Sequence, residues 1–332
     1  MRPDSLLVRP VAVALNPTDW KSVSYGRATD GCIVGCDYAG VVEAVGDQVT
    51  KPWKVGDRVF GCGHGANLVN PDDGVFGEYA VVKGDLQMRI PDGWTFEKAA
   101  TVPLGLITVG QGLFQKSLKL RLPDVNGTPE KQANPVLIYG GTTATATLAI
   151  QLAKLAGYTV ITTCLPDSFA HTKALGADFS FDYTDPEVGA KIREVTDNKL
   201  QHAWDTISIP SSAQICADSL SSDSRLSLRY GNLLPVKSPR EEVETITTVM
   251  YTVFGKFFKF GDRDMPASEE DLEFGRKFYA LGEGLMAKGK LRTHPEQVGE
   301  GGLDGVIKGF EMLEAGKVMG QKLVYRVGDT VD

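Results

Sequence analysis

The chain has 332 residues, of which 42% are hydrophobic and 23% are charged, and its formal net charge is −7 at pH 7. This length predicts two domains, and the composition is that of a soluble globular protein. The negative charge argues against binding to nucleic acid or to a membrane surface, and no apolar run approaches the ~18 residues of a membrane span. Because the amino terminus lacks the hydrophobic region of a signal peptide, we expect a cytoplasmic protein.

The first hundred residues predict a β-rich domain. Segments 6–15, 39–45, 58–61 and 77–83 are apolar and β-branched, and glycine and aspartate turns separate them. Residues 117–135 have no periodicity and are rich in proline, asparagine and glycine, so they predict a surface insertion.

The segment 135–157 is an apolar run that breaks at two glycines and resumes with helical periodicity. It predicts a strand, a tight turn and a helix that packs closely on a sheet. The backbone N–H groups of residues 142–145 would then face the pyrophosphate of a dinucleotide, with threonine hydroxyls as further donors. The full G-x-G-x-x-G fingerprint is absent, so an ordinary buried βα unit remains the alternative. The phosphate-binding residues predicted here are Gly140, Gly141, Thr142, Thr143, Ala144 and Thr145.

Strands and helices alternate after this unit. Predicted strands at 158–164, 178–182 and 203–207 are separated by helices at 168–175 and 186–195. Strands separated by helices of this length are typical of an α/β protein with a doubly wound parallel sheet.

The end of the second strand of this sheet bears on the choice of cofactor. An acidic residue there usually binds the ribose hydroxyls of NAD, whereas this chain has Thr163 and Cys164. The sequence therefore favours NADPH, although Asp167 lies close enough to weaken the preference. Candidates to bind the 2′-phosphate are Ser168, Lys173 and Tyr183.

Cysteine and histidine residues are few and scattered. The cysteines predict neither a disulfide framework nor a clustered zinc site, and we expect reduced thiols. For each histidine, a solvated or hydrogen-bonded structural role is more common than a functional one. The residues are Cys32, Cys36, Cys62, Cys164 and Cys216, and His64, His171, His202 and His294.

Four further motifs are Asn16-Pro-Thr-Asp-Trp-Lys21, Gly35-Cys-Asp-Tyr-Ala-Gly-Val-Val-Glu-Ala-Val-Gly46, Val55-Gly-Asp-Arg-Val59 and Ala99-Ala-Thr-Val-Pro-Leu-Gly105. Together they resemble the medium-chain dehydrogenase/reductase superfamily in its zinc-free quinone reductase branch. The Thr142–Thr145 turn, the insertion before Pro135 and the segment 301–325 are most similar to the fungal trans-acting enoyl reductases of polyketide biosynthesis.

The resemblance implies a GroES-like β-rich catalytic domain and a Rossmann domain with a doubly wound parallel sheet. We expect residues 1–104 and 266–332 in the first domain, and residues 105–265 in an NADPH-binding second domain with its insertion at 117–135. Relatives carry an amino-terminal hairpin ahead of the strand that begins here at Leu6, and we expect that hairpin to be missing.

Metal binding is not expected. Zinc-dependent members of the superfamily carry a cysteine near the position of Asn16 and a His-Glu pair near the positions of Cys36 and Asp37. This chain has neither, and a lone cysteine with a lone histidine does not complete a tetrahedral zinc site.

The resemblance implies NADPH-dependent reduction of the α,β-double bond of a polyketide enoyl thioester. The substrate would be carried on the acyl carrier protein of a polyketide synthase or of a synthase–peptide synthetase hybrid. The resemblance implies Lys21 and Thr108 as the catalytic groups, which would stabilise the negative charge that reduction places on the thioester oxygen. For Lys21 a surface lysine is the alternative. A stand-alone quinone or alkenal reductase and a degenerate, non-catalytic member remain alternative functions, and we expect a monomer.

The resemblance also implies the other site residues. Further cofactor contacts are Thr18, Asp19, Trp20, Lys21, Leu165, Pro166, Asp167, Ser168, Tyr183, Leu228 and Arg229. The predicted acyl pocket comprises Val109, Gly110, Gln111, Gly112, Leu113, Phe114, Gln115 and Lys116, together with Phe254, Gly255, Lys256, Phe257 and Phe258. For residues 254–258, a buried core element is the alternative.

Two basic clusters are candidates to receive an acidic carrier protein. They are Lys116, Lys119 and Arg121, and Lys256 and Lys259. A solvated charged face is the alternative for both.

Overall fold

The computed structural model describes residues 1–330. The chain divides into a first unit of residues 1–107 and 251–330 and a second unit of residues 108–250. Residues 251–265, which the sequence analysis places in the cofactor domain, therefore pack with the first unit.

The strands and helices are numbered in chain order. The strands are β1 (Ser5–Ala14), β2 (Asp37–Val45), β3 (Arg58–Cys62), β4 (Ala80–Lys83), β5 (Met88–Arg89), β6 (Val136–Tyr139), β7 (Val160–Thr163), β8 (Phe179–Phe181), β9 (His202–Asp205), β10 (Arg229–Asn232), β11 (Glu244–Thr247), β12 (Phe258–Phe260), β13 (Arg263–Met265), β14 (Glu296–Gly299) and β15 (Lys322–Arg326). The α-helices are α1 (Pro17–Ser24), α2 (Phe96–Ala100), α3 (Pro103–Val109), α4 (Ala144–Leu155), α5 (Phe169–Ala174), α6 (Val188–Val195), α7 (Pro210–Ser219), α8 (Glu269–Ala287) and α9 (Gly302–Glu314).

The first unit contains a mainly antiparallel sheet in the order β14-β15-β1-β2-β3-β5, with β4 paired to β1. The long strand β1 pairs with β2, β4 and β15 and supplies Leu6, Val8 and Val13 to a hydrophobic core. Residues from α9 and β15 complete that core. The predicted β-rich domain is confirmed, and each of its four predicted strands overlaps an observed one.

The second unit contains a parallel sheet in the order β11-β10-β9-β6-β7-β8. The first strand of this sheet along the chain is β6. The next strands, β7 and β8, lie on one side of it, and β9, β10 and β11 lie on the other. Ligands bind outside the carboxyl ends of the strands at such a reversal, which here lies between β6 and β9. The predicted doubly wound parallel sheet is confirmed.

Residues 117–135 contain no helix or strand, as the sequence predicts. The beginning of this segment is not a surface loop, however, because Ser117, Leu118 and Leu120 are buried. Leucines at alternating positions were the signal for this burial.

Within residues 1–330, every helix is too short or too polar to cross a lipid bilayer.

Candidate functional site

The turn after β6 is built on two glycines. Gly140 has a φ angle of 83°, and a Cβ atom added there would lie 2.8 Å from Thr206 Oγ1. A Cβ atom on Gly141 would lie 2.3 Å from Thr162 Oγ1. Both contacts are too short for a side chain, so this close turn from strand to helix requires glycine at both positions.

Thr143 is the residue that caps α4. Its hydroxyl oxygen accepts a hydrogen bond from the N–H of Ala146 at 3.1 Å. The hydroxyl lies 2.9 Å from the hydroxyl of Thr206, which itself donates to the carbonyl of Tyr139 at 2.8 Å. Since the Thr206 proton is already used, Thr143 donates to Thr206. The prediction that the Thr143 hydroxyl is a phosphate donor is therefore wrong for this conformation.

Three backbone donors remain at the start of α4. Within residues 1–330, the N–H groups of Thr142, Ala144 and Thr145 have no hydrogen-bond acceptor. They lie at the positive end of a 12-residue helix, and all three residues are only half-buried. Unpaired N–H groups in this position are suited to an anion such as a pyrophosphate.

Exposed apolar side chains follow the carboxyl ends of four strands of this sheet, two on each side of β6. They are between 37% and 46% exposed, which is unusual for large apolar residues. These residues are Leu165 after β7, Tyr183 after β8, Ile207 and Ile209 after β9, and Leu234 after β10. We refer to them as the apolar rim, and its surface is suited to the flat rings of a dinucleotide.

Leu165 and Tyr183 of the apolar rim were predicted from the sequence, together with the exposed loop residues Pro166 and Asp167 and the half-buried Ser168. The sequence analysis missed Ile207, Ile209 and Leu234. An available signal was that each follows the polar residue that ends a buried strand, Asp205 or Asn232.

Asp205 fixes the loop between β9 and α7. Its buried carboxylate accepts hydrogen bonds from the Tyr230 hydroxyl at 2.7 Å and from the Ser212 hydroxyl at 2.5 Å. It also accepts from the N–H groups of Ile207 and Ser208, both at 2.9 Å. The loop that carries Ile207 is thus held rigidly at the edge of the sheet where a cofactor is expected.

The predicted nicotinamide contacts Leu228 and Arg229 are at the wrong edge of the sheet. Arg229 pairs with His202 at the amino end of β9, whereas Asn232 pairs with Asp205 at the carboxyl end. Three residues of strand separate the two edges, or about 10 Å. Leu228 is a core residue, and Arg229 donates to the Ser117 carbonyl and pairs with Glu244.

The predicted pocket wall at residues 109–116 is largely core of the second unit. Residues 110–115 form a π-helix, and residues 109–114 are buried. A Cβ atom on Gly112 would lie 2.6 Å from the Trp204 ring, so this segment packs directly against β9. Only Gln115 and Lys116 are partly accessible. Thr108, which lies in α3 just before this segment, is also buried.

The Asn16–Lys21 motif forms the start of α1 in the first unit. Thr18 and Lys21 are half-buried and share one helix face at a spacing of three residues. Burial and the neighbouring Arg27 lower the pKa of Lys21. Trp20 is half-buried, and the ammonium of Lys21 lies 5.6 Å from the centre of its ring.

Asp19 is not accessible to a cofactor, so that prediction is wrong. It is buried, and its Oδ2 atom accepts a hydrogen bond from the N–H of Asn16 at 2.7 Å as part of a capping box. Burial is the main cause that raises the pKa of Asp19 to about 7, and the nearby carboxylate of Asp37 raises it further.

An aromatic cluster surrounds His64. Its ring stacks on Tyr251 at 4.2 Å between centres and also packs on Phe254 and Phe258. Burial lowers the pKa of His64 to about 3, so this histidine is neutral in the folded protein. The hydroxyl of Tyr251 lies 2.9 Å from that of Thr18 and 3.4 Å from the Cys36 sulfur.

This cluster contains two residues of the second predicted pocket wall, residues 254–258. Phe254 and Phe258 are core residues of the first unit, as the alternative interpretation has it. Gly255 is half-buried, whereas Lys256 and Phe257 are exposed. Phe257 is therefore the exposed aromatic side chain of this segment.

A buried ion pair joins β2 to β15. The ammonium of Lys322 donates to Asp37 Oδ2 and to the Thr101 carbonyl, the latter at 3.3 Å. Asp37 also accepts from the Asn16 side-chain amide at 3.0 Å and from the N–H of Leu104 at 2.7 Å. Asp37 thus ties together four separate segments of the first unit.

Lys322 was missed by the sequence analysis. Lysine is almost never fully buried unless it is paired, and nothing in the sequence pairs position 322 with position 37. Its place among apolar residues at the start of a strand was the only signal.

Two family models match the chain. The alcohol dehydrogenase GroES-like domain matches residues 2–92, and the zinc-binding dehydrogenase model matches residues 144–258. The trans-enoyl reductase resD of Aspergillus sclerotiorum is 46% identical over 98% of this chain and 94% of its own length. The chain belongs to the trans-enoyl reductase family. A second member, the trans-enoyl reductase TOXD of Cochliobolus carbonum, is 52% identical over 78% of this chain and 84% of its own.

The two family models and these relatives place the chain in the medium-chain dehydrogenase/reductase superfamily. The structure of an alcohol dehydrogenase superfamily protein from Novosphingobium aromaticivorans superposes with a TM-score of 0.78. The two chains are 21% identical, and the match covers 98% of this chain and 92% of the other. This likeness concerns the fold, whereas the family models and the relatives make the protein an oxidoreductase of a family that uses a nicotinamide cofactor.

The residues present do not fit the zinc ion that the second family model names. Near the positions of zinc ligands in zinc-dependent relatives, Asn16 offers an amide and Asp37 is already paired with Lys322. The Cys36 thiol is buried, and burial together with Asp19 raises its pKa well above the ordinary value, which opposes the thiolate that zinc requires. Within residues 1–330 no group of three or more suitable side chains could hold a metal ion.

We predict that Asp19 makes this trans-enoyl reductase less stable as the pH rises toward 7. The folded pKa is about 7 and the ordinary value is 3.8, so between these values folded Asp19 keeps a proton that unfolding releases. Rising pH therefore favours unfolding in that window, with a slope of at most about 1.4 kcal/mol per pH unit. Asp37, Lys322, Cys36 and Tyr251 are the ionisable groups around it.

The measurement is the free energy of unfolding of the wild type and of Asp19→Asn between about pH 5 and about pH 8. Asparagine keeps the acceptor for the Asn16 N–H but cannot ionise. His64 and His202, whose pKa values burial lowers to about 3 and about 4, act in the opposite direction and cancel in the difference. Parallel curves for the two proteins would contradict the prediction.

Proposed function

We propose that this protein reduces the α,β-double bond of an enoyl thioester with NADPH and acts in trans on the acyl carrier protein of a polyketide synthase. The observation that carries the cofactor part is the glycine turn with the three unpaired N–H groups at the start of α4. The similarity to proteins named trans-enoyl reductases, over nearly the whole chain, supports the enoyl part.

The residues of the second unit bind the cofactor. The N–H groups of Thr142, Ala144 and Thr145 hold the pyrophosphate, and the apolar rim contacts the flat rings. Ser168 and Tyr183 follow the ends of β7 and β8 and are assigned to the 2′-phosphate, whereas Lys173, the third candidate, lies in the last turn of α5. When bound, the nicotinamide supplies a hydride to the β-carbon of the substrate.

Lys21 is assigned to the thioester oxygen, which becomes negatively charged as the β-carbon is reduced. A half-buried ammonium stabilises such an oxygen more strongly than an exposed one, because the local dielectric constant is lower. The lowered pKa of Lys21 also makes Nζ a stronger acid, able to give a proton to the enolate. Thr108 is kept as a second, buried candidate hydroxyl donor.

The test follows NADPH absorbance with a 2-enoyl thioester presented first on pantetheine and then on a carrier protein. The proposal expects oxidation of NADPH with both substrates and a higher kcat/KM with the carrier-bound one. Parallel assays with NADH test the cofactor preference. Oxidation with quinones or free alkenals alone would instead show a stand-alone reductase, and no oxidation by folded protein would show a degenerate member.

The side chains of the two basic clusters proposed for the carrier protein differ in their ion pairs. Arg121 pairs with Glu130, Lys256 lies 3.8 Å from Asp4 and Lys259 lies 3.7 Å from Asp264. Lys119 is exposed and makes no ion pair within the described residues. Lys119 is therefore the best candidate to meet an acidic surface.

We predict that Lys119→Glu lowers kcat/KM for the carrier-bound substrate a few-fold and leaves that for the pantetheine substrate unchanged, because a rim charge acts on association. The matched control is Lys199→Glu, an exposed lysine of the same unit that pairs with Asp197. Equal effects of the two substitutions, or equal effects on the two substrates, would exclude Lys119 from carrier recognition.

A further inference from the structure

Two arginines of the first unit lie near one phenylalanine ring. The guanidinium carbon of Arg27 is 4.9 Å from the centre of the Phe260 ring, and that of Arg263 is 5.7 Å from it. Phe260 and Arg263 face each other across the β12–β13 hairpin. Lys21 is close enough to Arg27 for the guanidinium to lower the pKa of its ammonium. We call Arg27, Arg263 and Phe260 the cationic cluster, and Lys21 lies beside it.

The cationic cluster has no acidic partner in the described structure. Within residues 1–330, none of Lys21, Arg27 and Arg263 makes an ion pair. The Nε atom of Arg27 is buried and donates to no acceptor. Of the two acidic residues in the hairpin, Asp264 lies by Lys259, and Asp262 is exposed in the turn.

Such an arrangement is unfavourable by itself. The Arg27 guanidinium repels the Lys21 ammonium, and the buried Nε–H group of Arg27, which has no acceptor, costs free energy. A bound anion would remove both penalties at once. Stacking on Phe260 uses the flat face of a guanidinium and leaves its N–H edge free, and this edge matches the oxygens of a phosphate.

We propose that the cationic cluster binds the phosphate group of a phosphopantetheine-linked substrate. The choice of this substrate rests on the proposed function, whereas the phosphate chemistry rests on the cluster alone. The cofactor also carries phosphates. Its pyrophosphate has separate donors in the N–H groups at the start of α4, so the cluster of the first unit is assigned to the substrate.

The test measures binding of 4′-phosphopantetheine and of pantetheine by calorimetry to the wild type, Arg27→Ala and Arg263→Ala. The wild type is expected to bind the phosphorylated ligand about tenfold more tightly, and each variant to lose most of that difference. Arg9→Ala, which removes an exposed arginine of the same unit paired with Glu43, is expected to keep it. Arg27→Lys and Arg263→Lys retain the positive charge, and they are expected to keep part of the preference for the phosphorylated ligand.

Three results would overturn the inference: equal affinity of the wild type for the two ligands, equal weakening of both ligands in the alanine variants, or weaker NADPH binding with phosphopantetheine binding unchanged. The last result would assign the cluster to the cofactor. The measurement uses ligands without an enoyl group, so it stands even if the wild type reduces no thioester. Conversely, the wild type could reduce carrier-bound substrate and bind 4′-phosphopantetheine no more tightly than pantetheine. That result would support the proposed function and overturn this inference.

Discussion

Replacing Lys322 by alanine is expected to lower the free energy of unfolding by about 3–5 kcal/mol. The substitution leaves the Asp37 carboxylate in a fully buried position without its counter-charge, and it removes a donor to the Thr101 carbonyl. Removing one partner of a buried ion pair lowers the free energy of unfolding by far more than the intact pair contributes to it, because the remaining charge can reach no water. The measurement is denaturant unfolding at constant pH.

Arg326→Ala is the matched control. Arg326 lies on the same strand, β15, and pairs with Glu97, but its side chain is 51% exposed. Exposed ion pairs contribute about 0–1 kcal/mol, so this variant is expected to be close to the wild type. If Lys322→Ala were no more destabilising than Arg326→Ala, the account of Asp37 as the junction of four segments would be wrong.

Gly140→Ala is expected to weaken NADPH binding by roughly tenfold to a hundredfold. The new Cβ atom would lie 2.8 Å from Thr206 Oγ1 and 2.9 Å from Ile207 Cγ1, and the φ angle of 83° disfavours any residue with a side chain. The turn must shift to relieve these contacts, which moves the donors of Thr142, Ala144 and Thr145. The dissociation constant can be measured from NADPH fluorescence.

The control for this substitution is Gly56→Ala. Gly56 also has a positive φ angle, of 90°, but a Cβ atom there meets no atom within 4 Å. The two variants therefore share backbone strain, and only Gly140→Ala disturbs the phosphate-binding turn. A Gly140→Ala protein that binds NADPH as tightly as Gly56→Ala would show that the cofactor phosphates do not depend on this turn.

The sequence predicted those parts of the site that depend on local backbone chemistry. The strand, turn and helix around Gly140 follow from glycine spacing and from periodicity within one segment, and the structure has them at Val136–Leu155. Tyr183 follows the end of a predicted strand in the same way, and Leu165, which was implied by the family resemblance, follows another. None of these predictions needs a contact between distant residues.

The parts that failed depend on register and on long-range pairing. Leu228 and Arg229 were implied by the family resemblance, but Arg229 begins β10 at the amino end of the sheet, and a shift of a few residues along a strand moves a side chain to the opposite edge. The pairing of Lys322 with Asp37 spans 285 positions in the chain. No local pattern reports such a contact.

The most direct test of the central claim is isotope transfer to a carrier-bound enoyl thioester. NADPH that carries deuterium at the transferred position of the nicotinamide is incubated with the protein and the substrate, and the product is released and examined by mass spectrometry and NMR. The account predicts one deuterium at the β-carbon and one solvent hydrogen at the α-carbon. An unlabelled or unreduced thioester, from folded protein that binds NADPH, would contradict it.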